Sequence, residues 1–180
     1  MNFSKSGLKP WELELVNKYP LVFLEPDPYN APIAIRWGIS ETDYVNLRSG
    51  FECEEGWKGH IENIAKKATE IVTYLRDPNL HCLPASEDDV YIHSCIVKEK
   101  FGYLTWQGMS KLPPLFQDLW CRFHGYEESQ SSGTCEITGK IGRIRCTKNG
   151  ESVWNKTLCT DKAAELGYDL EEWEIKKREK

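Results

Sequence analysis

The stretch "VYIHSCIVKEKFGYLTW", residues 90–106, decides the fold of the larger part of this chain. Two sets of side chains alternate along its first half with the two-residue period of a β-strand: Tyr91, His93, Cys95 and Val97 in one set, and Ile92, Ser94 and Ile96 in the other. A tight connection and a second strand-like run follow. The stretch therefore predicts a pair of strands in a short antiparallel sheet.

Two amphipathic helices lie on either side of this strand pair. The first is predicted from about Trp57 to Leu75, because apolar side chains recur there at helical spacing. The second is predicted over 112–126, and its apolar face is formed by five side chains: Leu115, Phe116, Leu119, Trp120 and Phe123. We expect both helices to cover the sheet, which makes residues 1–127 an α+β domain.

Two shorter elements are predicted nearer the N-terminus. Residues 10–18 form a short helix in which Pro10 occupies the first turn. Residues 33–37, "IAIRW", suggest a short strand.

Composition and charge restrict the class of protein. The chain has 180 residues, of which 40% are hydrophobic and 12% aromatic, so one globular domain with a small appendage is expected. The longest apolar runs, such as "LVFL" at 21–24, are too short to span a membrane, and the N-terminus has no apolar signal segment. We therefore expect a cytoplasmic protein with no membrane partner. The net charge of −5 argues against non-specific binding to nucleic acid.

A smaller unit is predicted after the α+β domain. The polar residues 128–133 indicate a flexible linker. Beyond them, "GKIGRIRC" at 139–146 and "SVWNKTLC" at 152–159 read as two strands around Asn149-Gly150, the strongest short-range hairpin signal in the chain. We expect a hairpin module over 134–168 and a charged tail over 169–180.

The hairpin module has half of the ligands of a zinc ribbon. A ribbon holds Zn²⁺ with two ligands before a hairpin and two after it. Cys135 and Cys159 occupy one position in each pair, and the turn between them brings them together. Thr138 and Lys162 occupy the other two positions, and neither is a good zinc ligand.

The segment "TCEITGKIGRIRC…VWNKTLCTDKAAE" resembles the C-terminal module of a family of small, mostly uncharacterised proteins that are common in phages and prophages. In that family the module reads approximately C-x-x-C-G-x-x-G, a short hairpin, then T-L-C-x-x-H. Three upstream segments are similar to the other marks of the same family: "NKYPLVF" at 17–23, "GFECEEGW" at 50–57 and "IVKEKFGYL" at 96–104. The resemblance implies a zinc-ribbon-like hairpin whose ligand positions are Cys135, Thr138, Cys159 and Lys162, so the ribbon is degenerate here.

Two interpretations of the degenerate site stay open. In the first, no metal or other cofactor is bound, and the hairpin is held by packing on the main domain. In the second, structural zinc is bound by Cys135 and Cys159 with borrowed ligands. Cys121 and His124 are the candidates, since their C-x-x-H spacing puts both on one side of the second helix, and Cys146 in the first strand is another.

Two basic segments are candidate binding sites. The first is the densest positive patch in the sequence and lies on the hairpin: Lys140, Arg143, Arg145 and Lys148. In the second, Lys98 and Lys100 alternate with the aromatic residues Phe101, Tyr103 and Trp106, a mixture that can hold phosphates and stack bases.

The segment "FECEEGW" at 51–57 is a candidate cation site or catalytic loop, because Cys53 is grouped with Glu52, Glu54 and Glu55, and His60 follows. Such acids also complement the dipole of a following helix, which is the simpler interpretation. His81, His93 and His124 are too widely spread to form a nucleophile, base and orienting group with a Cys or Ser. We therefore expect no enzyme activity.

These observations lead us to expect a non-enzymatic phage or prophage accessory protein. Its expected partner is a host component, either a defence or replication protein or a small nucleotide signal. The alternative is a nucleic-acid-binding module that uses the basic hairpin patch.

Overall fold

A computed structural model describes residues 4–26, 31–36, 38–40, 42–47, 49–79 and 90–178. Within these ranges the chain has an α+β fold, as predicted. Strand β1 spans Phe51–Glu52, β2 spans Tyr91–Lys100 and β3 spans Tyr103–Lys111. His81 lies outside the described residues.

The central sheet has the order β1-β2-β3. Strands β2 and β3 are antiparallel, which confirms the predicted strand pair, and their register shifts between Ser94 and Ile96. The short strand β1 pairs with β2 in parallel, with Phe51 opposite Val97 and Glu52 opposite Lys98. This pairing carries the segment 51–57 to the edge of the sheet.

Five helices belong to the first part of the chain: α1 (Pro10–Lys18), α2 (Pro20–Phe23), α3 (Ala31–Arg36), α4 (Lys58–Arg76) and α5 (Pro114–Ser131). The predictions for α1 and α4 are confirmed. The predicted strand at 33–37 is wrong, because 31–36 is helical and Ala31 and Ala34, three residues apart, are buried. No helix in the described ranges combines the length and the apolar character that crossing a bilayer requires.

Helix α5 presents less of its predicted apolar face to the core. Trp120 is buried and Phe116 packs at the edge of the core. Leu115 and Leu119, however, are 76% and 51% exposed, so their prediction as inward-facing residues is wrong. Helix α5 contacts both α4 and β3, and its buried strip is narrower than its apolar sequence pattern.

The main core lies between the helices and the sheet. Its largest fully buried side chains include Trp57, Phe23, Leu15 and Ile61. Beside it, Arg76 makes a bidentate ion pair with Glu25, at 2.7 and 3.1 Å, and donates to the carbonyl oxygen of Val90. These contacts join the end of α4 to α2 and to the start of β2.

The C-terminal module contains a second, smaller core. Strands β4 (Arg143–Lys148) and β5 (Glu151–Leu158) form the predicted hairpin, and helices α6 (Thr160–Glu165) and α7 (Glu172–Arg178) follow. The buried cluster consists of Cys135, Leu158, Cys159, Ala163 and Tyr168.

The turn of this hairpin is closed by a residue from the predicted tail. Asn149 and Gly150 have φ angles of 52° and 78°, as a two-residue turn of this type requires. The Asp169 carboxylate accepts hydrogen bonds from both of their N–H groups, at 2.7 and 2.9 Å, and these bonds lower the pKa of Asp169. The segment 169–178 is therefore part of the module, and its prediction as a separate tail is wrong.

The predicted flexible linker at 128–133 is also wrong over most of its length. Helix α5 continues to Ser131, whose hydroxyl accepts a hydrogen bond from the N–H of Leu104 at 2.8 Å and is buried. The two units are therefore joined by a helix that is fixed to the sheet.

The module docks on the main domain through backbone contacts. The N–H of Gly56 donates to the carbonyl oxygen of Glu136 at 2.7 Å, and the Trp57 indole donates to the carbonyl oxygen of Thr134 at 2.7 Å. On the other side of the module, the Thr157 hydroxyl donates to the carbonyl oxygen of Gly102 at 2.6 Å. Each bond joins residues that are more than 50 positions apart in the sequence.

Candidate functional site

The four ligand positions implied by the resemblance meet at the base of the hairpin. The Thr138 hydroxyl lies 3.6 Å from the Cys159 sulfur and also hydrogen-bonds the Cys135 sulfur. Lys162 lies on α6, where its ion pair with Glu165 raises the pKa of its ammonium and the two nearby sulfurs add to that effect. The Lys162 ammonium therefore lies near two cysteine sulfurs and the Thr138 hydroxyl.

Backbone groups at this site favour a thiolate. Burial by itself would raise the pKa of the Cys135 thiol. Hydrogen bonds from the Thr138 hydroxyl and from the N–H groups of Cys159, Thr138 and Ile137 outweigh burial, so the pKa of Cys135 is lowered. The same N–H groups would stabilise a metal-bound sulfur, but Thr138 and Lys162 do not complete a zinc coordination sphere.

The borrowed ligands do not reach this site. Helix α5 rises about 1.5 Å per residue, so Cys121 lies about 15 Å from the end of the helix at Ser131. Cys121 is exposed, and His124 stacks on Trp120 beside β3. Among the described residues, no group of three or more His, Cys, Asp or Glu side chains is arranged to hold a metal ion. The prediction that Cys121 and His124 face the hairpin is wrong.

Two of the four cations in the positive patch of the hairpin are paired with carboxylates. Arg145 is buried and makes a bidentate ion pair with Glu174 of α7, at 2.7 and 2.5 Å. Arg143 pairs with Glu171 at 2.5 Å, and the Lys148 ammonium lies 4.4 Å from the centre of the Tyr168 ring. Lys140 is exposed, beside Lys177 and Arg178 of α7. Arg145, predicted as a binding residue, is a structural residue.

An exposed aromatic pair lies at the junction of the two units. Phe101, at the tip of the β2–β3 hairpin, packs against Trp154 of β5 with ring centres 5.5 Å apart. The two side chains are 53% and 57% exposed. The Lys100 ammonium lies 5.7 Å from the centre of the Phe101 ring, and the Trp154 indole donates to Glu99 at 2.7 Å. We call Phe101 and Trp154 the aromatic platform.

The backbone at Phe101 is strained. Its φ angle is +55°, a left-handed conformation that is uncommon for a bulky side chain, and Gly102 follows with φ +83°. Asn or Gly would suit this turn position better. A strained, exposed aromatic residue points to a role in binding, because folding alone does not favour it.

Of the other binding residues predicted near Phe101, some are exposed on the surface and one is buried in the core. Lys98 lies on β2 between Glu52 of β1 and Thr105 of β3. Tyr103 is partly exposed, whereas Trp106 is buried and packs against Phe23 with ring centres 5.6 Å apart. Trp106 is therefore not available for stacking. Trp154 completes the platform, and sequence analysis missed it because its partner Phe101 lies 53 residues earlier.

The segment 51–57 is the docking point of the module. Gly56 and Trp57 make the contacts described above, and Trp57 is fully buried as predicted. Burial raises the pKa of the Cys53 thiol to about 12, so this thiol is neutral near pH 7. A neutral, buried thiol is a poor nucleophile.

His60 links two side chains in a series of hydrogen bonds that no local sequence pattern indicates. Its Nδ1 lies 2.8 Å from Oε2 of Glu127, and its Nε2 lies 2.9 Å from the Thr134 hydroxyl. The connectivity is that of a hydroxyl, base and acid set. The Thr134 carbonyl oxygen, however, is bound by the Trp57 indole within the contact between α4 and the module. We interpret this series of hydrogen bonds as a docking contact.

Comparison with models of protein families, with curated proteins and with solved structures gives no significant match.

Proposed function

We propose that this chain is a non-enzymatic accessory protein of a phage or prophage that binds a host protein through the aromatic platform. The phage origin rests on the four sequence segments that resemble the family. The binding role rests on one observation: Phe101 and Trp154 pack against each other at a tilt, are exposed and are supplied by different units.

The composition of the platform favours a protein partner. Exposed Trp and Phe side chains carry a large share of the binding energy of protein interfaces, since they bury much apolar area with little loss of conformational entropy. Glu99 lies beside the platform and accepts a hydrogen bond from the Trp154 indole. The overall charge of −5 makes a phosphate backbone a poor ligand and a basic protein surface a good one.

The test is a pull-down from host lysate followed by mass spectrometry, with matched variants. Phe101→Asn and Trp154→Ala remove the platform, and Asn tolerates the left-handed backbone at position 101. Tyr126→Ala removes an aromatic side chain on α5 that is 59% exposed. The expected result is a host protein that is retained by the wild type and by Tyr126→Ala and is lost from both platform variants. Equal capture by all four proteins would contradict the proposal.

A second candidate is single-stranded nucleic acid, favoured by the position of Lys100 over the Phe101 ring. Fluorescence anisotropy with labelled DNA and RNA oligonucleotides tests it at low salt. If binding falls steeply with salt and is lost in Trp154→Ala, single-stranded nucleic acid rather than a host protein is the partner. Absence of binding at low salt removes this candidate.

A further inference from the structure

An acidic cleft of about 230 Å³ lies where the two units meet. Strand β1 and the residues after it supply Glu52 and Glu54, β2 supplies Glu99, and the module supplies Glu136. Among the residues that the structure describes, two cationic side chains, Lys9 and Lys156, line the cleft with these four carboxylates. The cleft therefore has a surplus of negative charge, although its residues are widely separated in the sequence.

Glu136 shows that a donor is missing. Its side chain is 1% exposed, and Oε1 is bound by the Lys156 ammonium. Oε2 is buried and has no hydrogen-bond partner within the described part of the chain. A buried carboxylate oxygen without a donor is costly, so such an atom in a cleft marks a place for a ligand donor. Burial raises the pKa of Glu136, and the charges of Glu99 and Glu54 raise it further.

The other groups of the cleft do not supply this donor. Both oxygens of Glu99 are occupied, by the Gly102 N–H at 2.7 Å and by the Trp154 indole. The Lys9 ammonium lies 3.7 Å from Glu54 and 3.8 Å from Glu12. Glu52 and Glu54 are exposed at the rim of the cleft.

The chemistry of the ligand follows from the donors that the cleft lacks. A carboxylate oxygen accepts hydrogen bonds, so a ligand that pairs with Glu136 brings a donor, and the surplus of carboxylates in the cleft favours a cationic one. A guanidinium presents five donors in a planar fork, is more weakly hydrated than an ammonium, and pairs with two carboxylates at once.

We propose that this cleft binds a guanidinium group, with Glu136 as the buried acceptor and Glu52 and Glu54 as acceptors at the rim. The site goes beyond the proposed function, because its contacts do not involve the aromatic faces of the platform. The guanidinium belongs either to a free small molecule or to an arginine side chain of a protein partner. In the second case one partner can fill both sites, since Glu99 touches the platform and the cleft.

Isothermal titration of the full chain at constant ionic strength tests this site. The two probes are agmatine and a short peptide with blocked termini whose only charged side chain is one arginine. The expected result is a dissociation constant below about 1 mM for at least one probe. We expect an affinity loss of about tenfold in Glu136→Gln and no change in Glu55→Gln, an exposed neighbour outside the cleft.

The two probes distinguish the sources of the guanidinium. Equal affinities indicate a free small molecule, and tighter binding of the peptide indicates a protein partner. If Glu136→Gln does not fold, Glu52→Gln replaces it as the test variant, because the Glu52 side chain is exposed. Glu52→Gln must then weaken binding several-fold, while Glu55→Gln leaves the affinity unchanged. The proposal is overturned if neither probe binds below about 1 mM, or if the Glu55 variant loses as much affinity as the cleft variants.

Discussion

At Gly56 the backbone of the main domain lies directly against the backbone of the module. A Cβ atom at this position would lie 2.2 Å from the carbonyl oxygen of Cys135 and 2.5 Å from the carbonyl carbon of Glu136. Both are backbone atoms, so neither can move aside without moving the module. We expect Gly56→Ala to lower the free energy of unfolding by about 1–3 kcal/mol, measured by urea denaturation.

Gly59 provides the matched control, since it lies three residues later in α4 and a Cβ atom there has open space around it. Gly59→Ala is expected to raise the free energy of unfolding by about 0.5–1 kcal/mol, because Ala favours a helix. If both variants are equally stable, Gly56 does not form the close contact.

At the scale of single elements, helix α7 is held to the hairpin by one buried ion pair. Hydrogen bonds from Arg145 lower the pKa of Glu174 to about 2, against the effect of burial; the N–H of Glu171 and the Thr160 hydroxyl also contribute. The pKa of Glu174 in the folded state is therefore below its unfolded value of about 4.3. The ion pair stabilises the fold above about pH 5, and this contribution is lost as the pH falls towards 2.

Glu174→Gln tests this assignment. At pH 7 the variant leaves the buried Arg145 without a counter-charge, and we expect it to be about 3–5 kcal/mol less stable than the wild type. In urea denaturation the difference should shrink as the pH falls from 5 towards 2, because protonation of Glu174 in the unfolded state below about pH 4.3 removes the advantage that the wild type gains from its ionised carboxylate. A difference that stays constant with pH would show that Glu174 is not the titrating partner.

The base of the hairpin, where Cys135, Thr138, Cys159 and Lys162 lie, should bind a metal after two changes. Thr138→Cys with Lys162→His gives three thiols and one imidazole at positions that already meet around one point. We expect the double variant, purified with Zn²⁺ and then dialysed, to retain about one equivalent by elemental analysis. Adding Cys159→Ser to these two substitutions should abolish zinc binding. Retention of zinc in that triple variant would place the ion elsewhere.

The elements with strong local signals could be predicted from the sequence. The two-residue alternation of side chains predicted β2, and the Asn149-Gly150 pair predicted the turn of the second hairpin. Helix α3 could not, because "IAIR" alternates like a strand while its described burial depends on two small Ala side chains. The polar run 128–133 predicted a linker, but Ser131 is fixed by Leu104, 27 residues away, and no local pattern reports such a contact.

At the scale of the whole molecule, the candidate site depends on contacts between units. The four cations of the hairpin could be listed from the sequence, but the acids that neutralise two of them lie about 30 residues later on or beside α7. Phe101 was predicted as a binding residue without its partner Trp154. The segment 51–57 was predicted as a cation site or as a helix start, and its role in docking required the position of the module.

We infer that the module keeps its shape by docking on the main domain rather than by binding a metal. Native-state hydrogen exchange in the presence of EDTA tests this inference. We predict that the slowest amides of β4 and β5 exchange with a free energy within about 1 kcal/mol of the slowest amides of α4, with or without EDTA. Fast exchange of β4 and β5 while α4 stays protected, or a loss of their protection on adding EDTA, would contradict it.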